Sequence, residues 1–116
     1  MGGGFGGKES QGNLPAIVAA LAVKKTGRPA KLVYDRDEDM RVTGKRHDLR
    51  ISYRVGYDDT GRILAMDVDQ ALRCGMSFDL SQAIAERAML HAENCYFIQD
   101  VRVTSRLCRT HTPSLL

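Results

Sequence analysis

The first nine residues, MGGGFGGKE, could bind a ligand mainly through their backbone. Five glycines surround Phe5, so backbone N–H groups can approach a ligand with few side chains in the way. An alanine-rich apolar segment follows and is typical of a helix. Unpaired N–H groups and the helix dipole both favour an anion at a helix N-terminus. The segment therefore predicts a binding loop that ends at Lys8 and Glu9.

Two nucleotide-binding motifs fit this loop only in part. The glycines from Gly2 to Gly7 match G-x-G-x-x-G, but no strand precedes them, and the acids that follow Glu9, in residues 35–39, come too late to bind a ribose. The loop also matches G-x-x-x-x-G-K, but Glu9 stands where Ser or Thr would bind magnesium, and its carboxylate would repel phosphates. A non-catalytic nucleotide-binding module stays an alternative, as does a turn without a ligand.

Composition narrows the class of protein. The length of 116 residues fits one small domain or a fragment of a larger one. The net charge is +3, and charges of both signs alternate without the basic stripe typical of nucleic-acid binding. No apolar run is long enough to cross a membrane. We expect neither nucleic acid nor membrane as a partner.

Cysteine and histidine are too scattered for a metal site built from side chains. Cys74, Cys95 and Cys108 have no CxxC spacing, and the three histidines lie far apart in the sequence. This pattern favours free thiols in a reducing compartment, and so a cytoplasmic location. We expect the three cysteines to be inert thiols in the core.

Periodicity predicts the elements that would position the glycine loop. Apolar residues at three- and four-residue steps predict a helix over 10–26, with Pro15 in its first turn and Gly27 after its end. A short strand is expected over Ala30–Asp35. A charged, solvated turn is expected over Arg36–Met40.

The second half of the chain predicts a hairpin, a helix and a final strand. Alternating apolar and polar residues over 49–57 predict a half-buried strand, which returns over Arg62–Leu72 after a turn. Leu80–Ala92 reads as a helix with Asp79 as its N-cap, and Gln99–Arg109 reads as a strand. The predicted fold class is α+β, a layer of helices and an antiparallel hairpin.

Longer motifs follow one another in a fixed order along the chain. They are Gly-Gly-Gly-Phe-Gly-Gly-Lys-Glu at 2–9, Lys-Thr-Gly-Arg-Pro at 25–29, Asp-Arg-Asp-Glu-Asp-Met at 35–40, Thr-Gly-x-Arg-His at 43–47, Asp-Leu-Ser-Gln at 79–82, Glu-Arg-Ala at 86–88 and His-x-x-Asn-Cys-Tyr at 91–96. In wording and order they resemble the molybdenum-binding subunit of the xanthine dehydrogenase family, which includes xanthine oxidase and aldehyde oxidase. The resemblance implies that residues 1–116 are an incomplete part of a larger molybdopterin-binding domain.

The resemblance also implies roles for four residues. Phe5 and Gly6 would lie against the molybdenum and its pterin cofactor. Glu9 would hydrogen-bond one side of a purine, and Arg87 would bind the other side and stabilise the negative charge that develops on the ring. Together they favour xanthine or hypoxanthine over aldehydes as substrate. Arg87 also falls on the apolar side of its predicted helix, where burial of an unpaired charge is unfavourable in free energy. Its side chain either snorkels to water or binds a ligand.

The family reaction is hydroxylation of a purine carbon with water as the oxygen source. Electrons then leave through 2Fe–2S clusters and FAD, which other domains or subunits hold. The family's base glutamate and a glutamine near the metal lie outside this sequence, so we expect no catalytic residue in this chain and no activity from it alone. His111 stands where the family has Asn, and Leu115 and Leu116 depart from its continuation, which favours a truncated or frameshifted product or an excised segment. A scaffold that donates Glu9 and Arg87 to a partner protein is a further alternative.

Overall fold

The structure, a computed structural model, describes residues 9–113. Their helices and strands are α1 (Asn13–Thr26), α2 (Arg36–Val42), β1 (Leu49–Tyr57), β2 (Ile63–Gly75), α3 (Ser81–Leu90) and β3 (Asp100–Arg109). β1 and β2 form the predicted antiparallel hairpin, and β3 pairs with β2 in parallel, so the sheet order is β1-β2-β3. The predicted α+β class is confirmed, with a mixed rather than an antiparallel sheet.

The prediction is wrong between α1 and β1. Residues 30–35 form no strand, and Arg36–Val42 is a helix rather than a turn. A capping box explains the helix, because Asp35 accepts from the Glu38 N–H at 2.8 Å while the Asp35 N–H donates to the Glu38 carboxylate at 3.4 Å. Acidic residues in the first turn also favour the positive end of the helix dipole.

The sheet has one apolar face, and only part of that face is covered. Val68, Gln70 and Leu72 of the central strand are buried on it. The alternation in β1 predicted a half-buried strand, but Ile51 is 52% exposed and Tyr53 is 71% exposed. The reason is that β1 is an edge strand and α3 packs on β2 and β3 instead.

Helix α3 closes a small core against β2 and β3. The core consists of Leu72, Cys74 and Ala85, with Ile84 and Leu107 packed at its border. Cys74 is thus a core thiol as expected, whereas Cys95 and Cys108 are exposed, which corrects that prediction. They lie outside the small area that α3 covers.

Helix α1 packs against no other helix or strand of the described residues. The apolar residues that were predicted to form its buried stripe are exposed, at Leu14, Ile17, Val18 and Leu21. The radius of gyration is 20.2 Å, whereas a compact domain of this length is expected near about 13 Å. Residues 9–113 are therefore elongated and leave apolar surface in contact with solvent. No helix among them is long and apolar enough to span a bilayer.

Candidate functional site

Three segments that lie far apart in the sequence meet through side-chain hydrogen bonds. They are residues 9–12, directly before α1, residues 43–47, after α2, and residues 79–81, at the start of α3. The first contact joins the outer two segments, because the Ser10 hydroxyl donates to Oδ2 of Asp79 at 2.6 Å. This bond ties the residue after Glu9 to the helix that carries Arg87.

The middle segment contacts both of the others. The Gly44 N–H donates to Oε1 of Gln11 at 2.7 Å. Nε2 of His47 lies 2.7 Å from the hydroxyl of Ser81, whose side chain is fully buried. These contacts, together with the Ser10–Asp79 bond, connect the three segments in a closed ring.

The middle segment is ordered by its own lysine. The ammonium of Lys45 donates to the carbonyl oxygens of Asp39 and Thr43 at 3.0 and 2.8 Å and contacts the Thr43 hydroxyl at 2.8 Å. The same hydroxyl donates to the Asp39 carbonyl at 2.7 Å. A cation beside the last carbonyls of α2 is favourable, because these groups are the negative end of the helix dipole. Lys45 thereby holds the loop that presents Gly44 and His47.

Glu9 and Arg87 lie on elements that this ring connects. Glu9 is exposed and directly precedes Ser10. Arg87 is exposed in the last turn of α3, so the described residues do not bury its charge. It follows Ser81 by six residues, which corresponds to about 9 Å along the helix axis. The carboxylate and the guanidinium are therefore carried by segments whose relative position is fixed by hydrogen bonds.

Phe5 and Gly6 lie outside the described residues. Within residues 9–113, no group of three or more His, Cys, Asp or Glu side chains could hold a metal ion. The prediction of roles for Phe5 and Gly6 stays a prediction.

The sequence interpretation missed the contact between Ser10 and Asp79. It assigned Asp79 to the N-cap of α3, but the N-cap residue is Leu80 and no side chain caps this helix. The reason is that Asp79 has φ of +39° and its carboxylate points back to Ser10. The only local signal for this contact was Ser10, a polar residue directly after the glycine loop. Serine is also typical of a helix start, so this signal did not point to Asp79.

The opposite face of the sheet carries a ladder of ion pairs. Asp67 pairs with Arg54 at 2.6 Å and with Arg102 at 2.7 Å, and Arg106 pairs with Asp69 on the next rung. Hydrogen bonds from Arg102 and then from Arg54 hold the pKa of Asp67 well below its usual range. Two grooves of about 390 and 580 Å³ lie over this ladder, and neither is lined by a residue of the three-segment ring. The ladder joins the three strands but does not contribute to the candidate site.

Comparison with known proteins identifies the family. Residues 1–115 match the model of the molybdopterin cofactor-binding domain. Over 114 residues, which are 98% of this chain, it is 48% identical to "Xanthine dehydrogenase/oxidase" of Felis catus and 46% identical to "Aldehyde oxidase 2" of Cavia porcellus. It spans only 9% and 8% of the length of these relatives. The chain therefore belongs to the molybdopterin cofactor-binding domain family, as its motifs predicted.

Proposed function

We propose that this chain is part of the molybdopterin-binding domain of a molybdenum hydroxylase that oxidises purines such as hypoxanthine and xanthine. The observation that carries the proposal is the connection of Glu9 to Arg87 through the Ser10–Asp79 hydrogen bond, in a chain of this family. Overall identity does not select the substrate, because the values for a xanthine dehydrogenase/oxidase and an aldehyde oxidase differ by only two points, 48% against 46%. The choice of purines rests on the residue types of Glu9 and Arg87.

The two side chains would act on opposite sides of the purine. The carboxylate of Glu9 accepts a hydrogen bond from a ring N–H and so orients the ring. The guanidinium of Arg87 donates to a purine oxygen or nitrogen. Its positive charge stabilises the negative charge that builds up on the ring as the carbon is attacked. Orientation and charge stabilisation are thus the contributions of this chain to the reaction.

The family match over residues 1–115 supports molybdopterin as the cofactor that this part of the enzyme would help to bind. Phe5 and Gly6 would lie against this cofactor. When bound, molybdopterin supplies the oxidation of the purine carbon and takes up the electrons. FAD and 2Fe–2S clusters would belong to other parts of the enzyme.

The exposed apolar surface of residues 9–113 supports the proposal that the remainder of the domain packs against them. We expect the isolated chain to bind a polarity-sensitive hydrophobic dye, because the stripe of α1 and the face of β1 lack cover. Dye fluorescence of the isolated chain would be measured beside that of the full-length enzyme at equal molar concentration. A compact monomer that melts cooperatively and leaves the dye dark would contradict this proposal.

The substrate class is tested with the full-length enzyme. We expect kcat/KM for xanthine to exceed that for an aromatic aldehyde by at least about 100-fold, because a site built to hydrogen-bond its substrate rejects analogues that leave those groups unpaired. Turnover of both substrates would be followed with the same artificial electron acceptor. A preference for the aldehyde would overturn the purine assignment and keep the family.

A further inference from the structure

We propose that Ser10 and Asp79 are a positioning pair that fixes Glu9 relative to Arg87. This inference rests on the proposed function, since it explains how the two purine-binding residues keep their separation. The hydroxyl–carboxylate bond is 2.6 Å long and joins residues 69 positions apart in the sequence. On one side of the bond stands Glu9, and on the other side α3 begins within two residues.

The conformation of Asp79 indicates that this contact is specific. Its φ of +39° lies in the left-handed region, which a residue other than glycine adopts at a conformational cost. Asp is also a preferred N-cap residue, yet here α3 has no side-chain cap. The carboxylate is therefore used for the long-range bond to Ser10 although a favourable local use lies next to it.

The two segments that the Ser10–Asp79 bond joins are held in place by different contacts. Helix α3 is fixed at its start by the buried Ser81, which contacts His47 at 2.7 Å, and in its middle by Ala85, which is 3% exposed. Arg87 therefore keeps its place on a packed helix. Glu9 directly precedes Ser10, and the bonds of Ser10 to Asp79 and of Gln11 to Gly44 join this segment to the other two segments of the ring. Loss of the Ser10–Asp79 bond should move Glu9 and leave Arg87 in place.

The bond is expected to affect turnover more than stability. Ser10 is half-buried and Asp79 is exposed, and a hydrogen bond in such a place contributes little to the free energy of unfolding. A small misplacement of a substrate-orienting group, in contrast, can cost up to about 100-fold in rate. The two quantities can therefore be separated by experiment.

The test uses the full-length holoenzyme with Ser10→Ala, Ser10→Thr and Asp79→Gly. Glycine at 79 tolerates the positive φ and removes the side chain that carries the carboxylate. We expect Ser10→Ala and Asp79→Gly each to lower kcat/KM for xanthine about tenfold, with no further loss in the double variant, because both remove one interaction. Ser10→Thr keeps the hydroxyl and should keep the activity.

The matched control is Thr60→Ala in the hairpin turn. It removes another exposed hydroxyl–carboxylate bond of 2.6 Å, from Thr60 to Asp58, at a place outside the site. We expect this variant to have unchanged turnover. Ser10→Ala should equal the control in melting temperature and molybdenum content. A loss of either property beyond that of the control would assign Ser10 a structural role and overturn the proposal.

A binding measurement separates this proposal from the proposed function. Calorimetric titration of xanthine into the molybdenum-depleted enzyme should show about tenfold weaker binding for Ser10→Ala, in line with a misplaced orienting group. If Ser10→Ala binds xanthine and turns it over like Thr60→Ala, while Arg87→Met impairs turnover, the positioning pair fails alone. If Arg87→Met and Glu9→Gln both keep full purine turnover, the proposed function and the positioning pair both fail.

Discussion

Replacement of Arg87 by Met in the full-length enzyme is expected to lower kcat/KM for xanthine by at least about 100-fold. Removal of one preorganised donor from a site of developing charge costs about 10²–10³ in rate. Methionine keeps much of the length and apolar body of the side chain but removes the cation. Since Arg87 is exposed in the last turn of α3, the change should leave folding intact. Steady-state kinetics with xanthine and the molybdenum content of the purified variant would be measured together.

The same substitution at Arg106 is the matched control for this experiment. Arg106 is also exposed and pairs with Asp69 on the face of the sheet that carries the ion-pair ladder. We expect Arg106→Met to keep its turnover, because exposed ion pairs contribute little and this one lies outside the site. Equal effects of the two substitutions would remove Arg87 from the purine site. An equal loss of aldehyde turnover in Arg87→Met would likewise contradict a role specific to purines.

Local signals in the sequence predicted those elements that depend on local interactions. The helix over 10–26 and the hairpin over 49–72 occur close to their expected positions, as Asn13–Thr26 and as Leu49–Tyr57 with Ile63–Gly75. Apolar spacing and turn residues are sufficient for such elements. The helix Arg36–Val42 was missed because its charged residues were interpreted as a solvated turn, whereas Asp35 and Glu38 form a capping box.

Burial could not be predicted in the same way, because it depends on which surfaces meet. The alternation in β1 is real, but a strand at the edge of a sheet is buried only if another element covers it, and α3 lies over β2 and β3. The same holds for α1, whose apolar stripe finds no partner among residues 9–113. In both elements the pattern describes a surface suited to burial in a larger assembly.

The candidate site was predicted through its family motifs and not through its geometry. Glu9 and Arg87 were selected because of the sequence motifs around them, and such motifs can be recognised without any knowledge of tertiary contacts. The bonds from Ser10 to Asp79 and from Gly44 to Gln11 join residues 69 and 33 positions apart, and no spacing rule predicts such pairs. The structure thus adds the contacts that connect the motifs, which the sequence alone does not contain.

Replacement of Leu72 by Ala is expected to lower the free energy of unfolding by about 2–5 kcal/mol. Leu72 is fully buried and lies in the core between the central strand and α3. The loss has two sources, the apolar groups returned to water and the cavity left in a core that consists of few residues. The change would be measured as the shift of the thermal transition of the molybdenum domain, with amide hydrogen exchange in α3 as a local probe.

Leu90→Ala removes the same atoms from the end of α3, where Leu90 is 76% exposed. We expect a smaller loss for this control than for Leu72→Ala, because the described residues do not cover Leu90. Faster exchange in α3 for Leu72→Ala, together with weaker xanthine binding, would mean that the small core is what holds Arg87 in place. Equal shifts for Leu72→Ala and Leu90→Ala would instead mean that contacts outside residues 9–113 hold this helix, and that the core of Leu72, Cys74 and Ala85 is a minor part of a larger one.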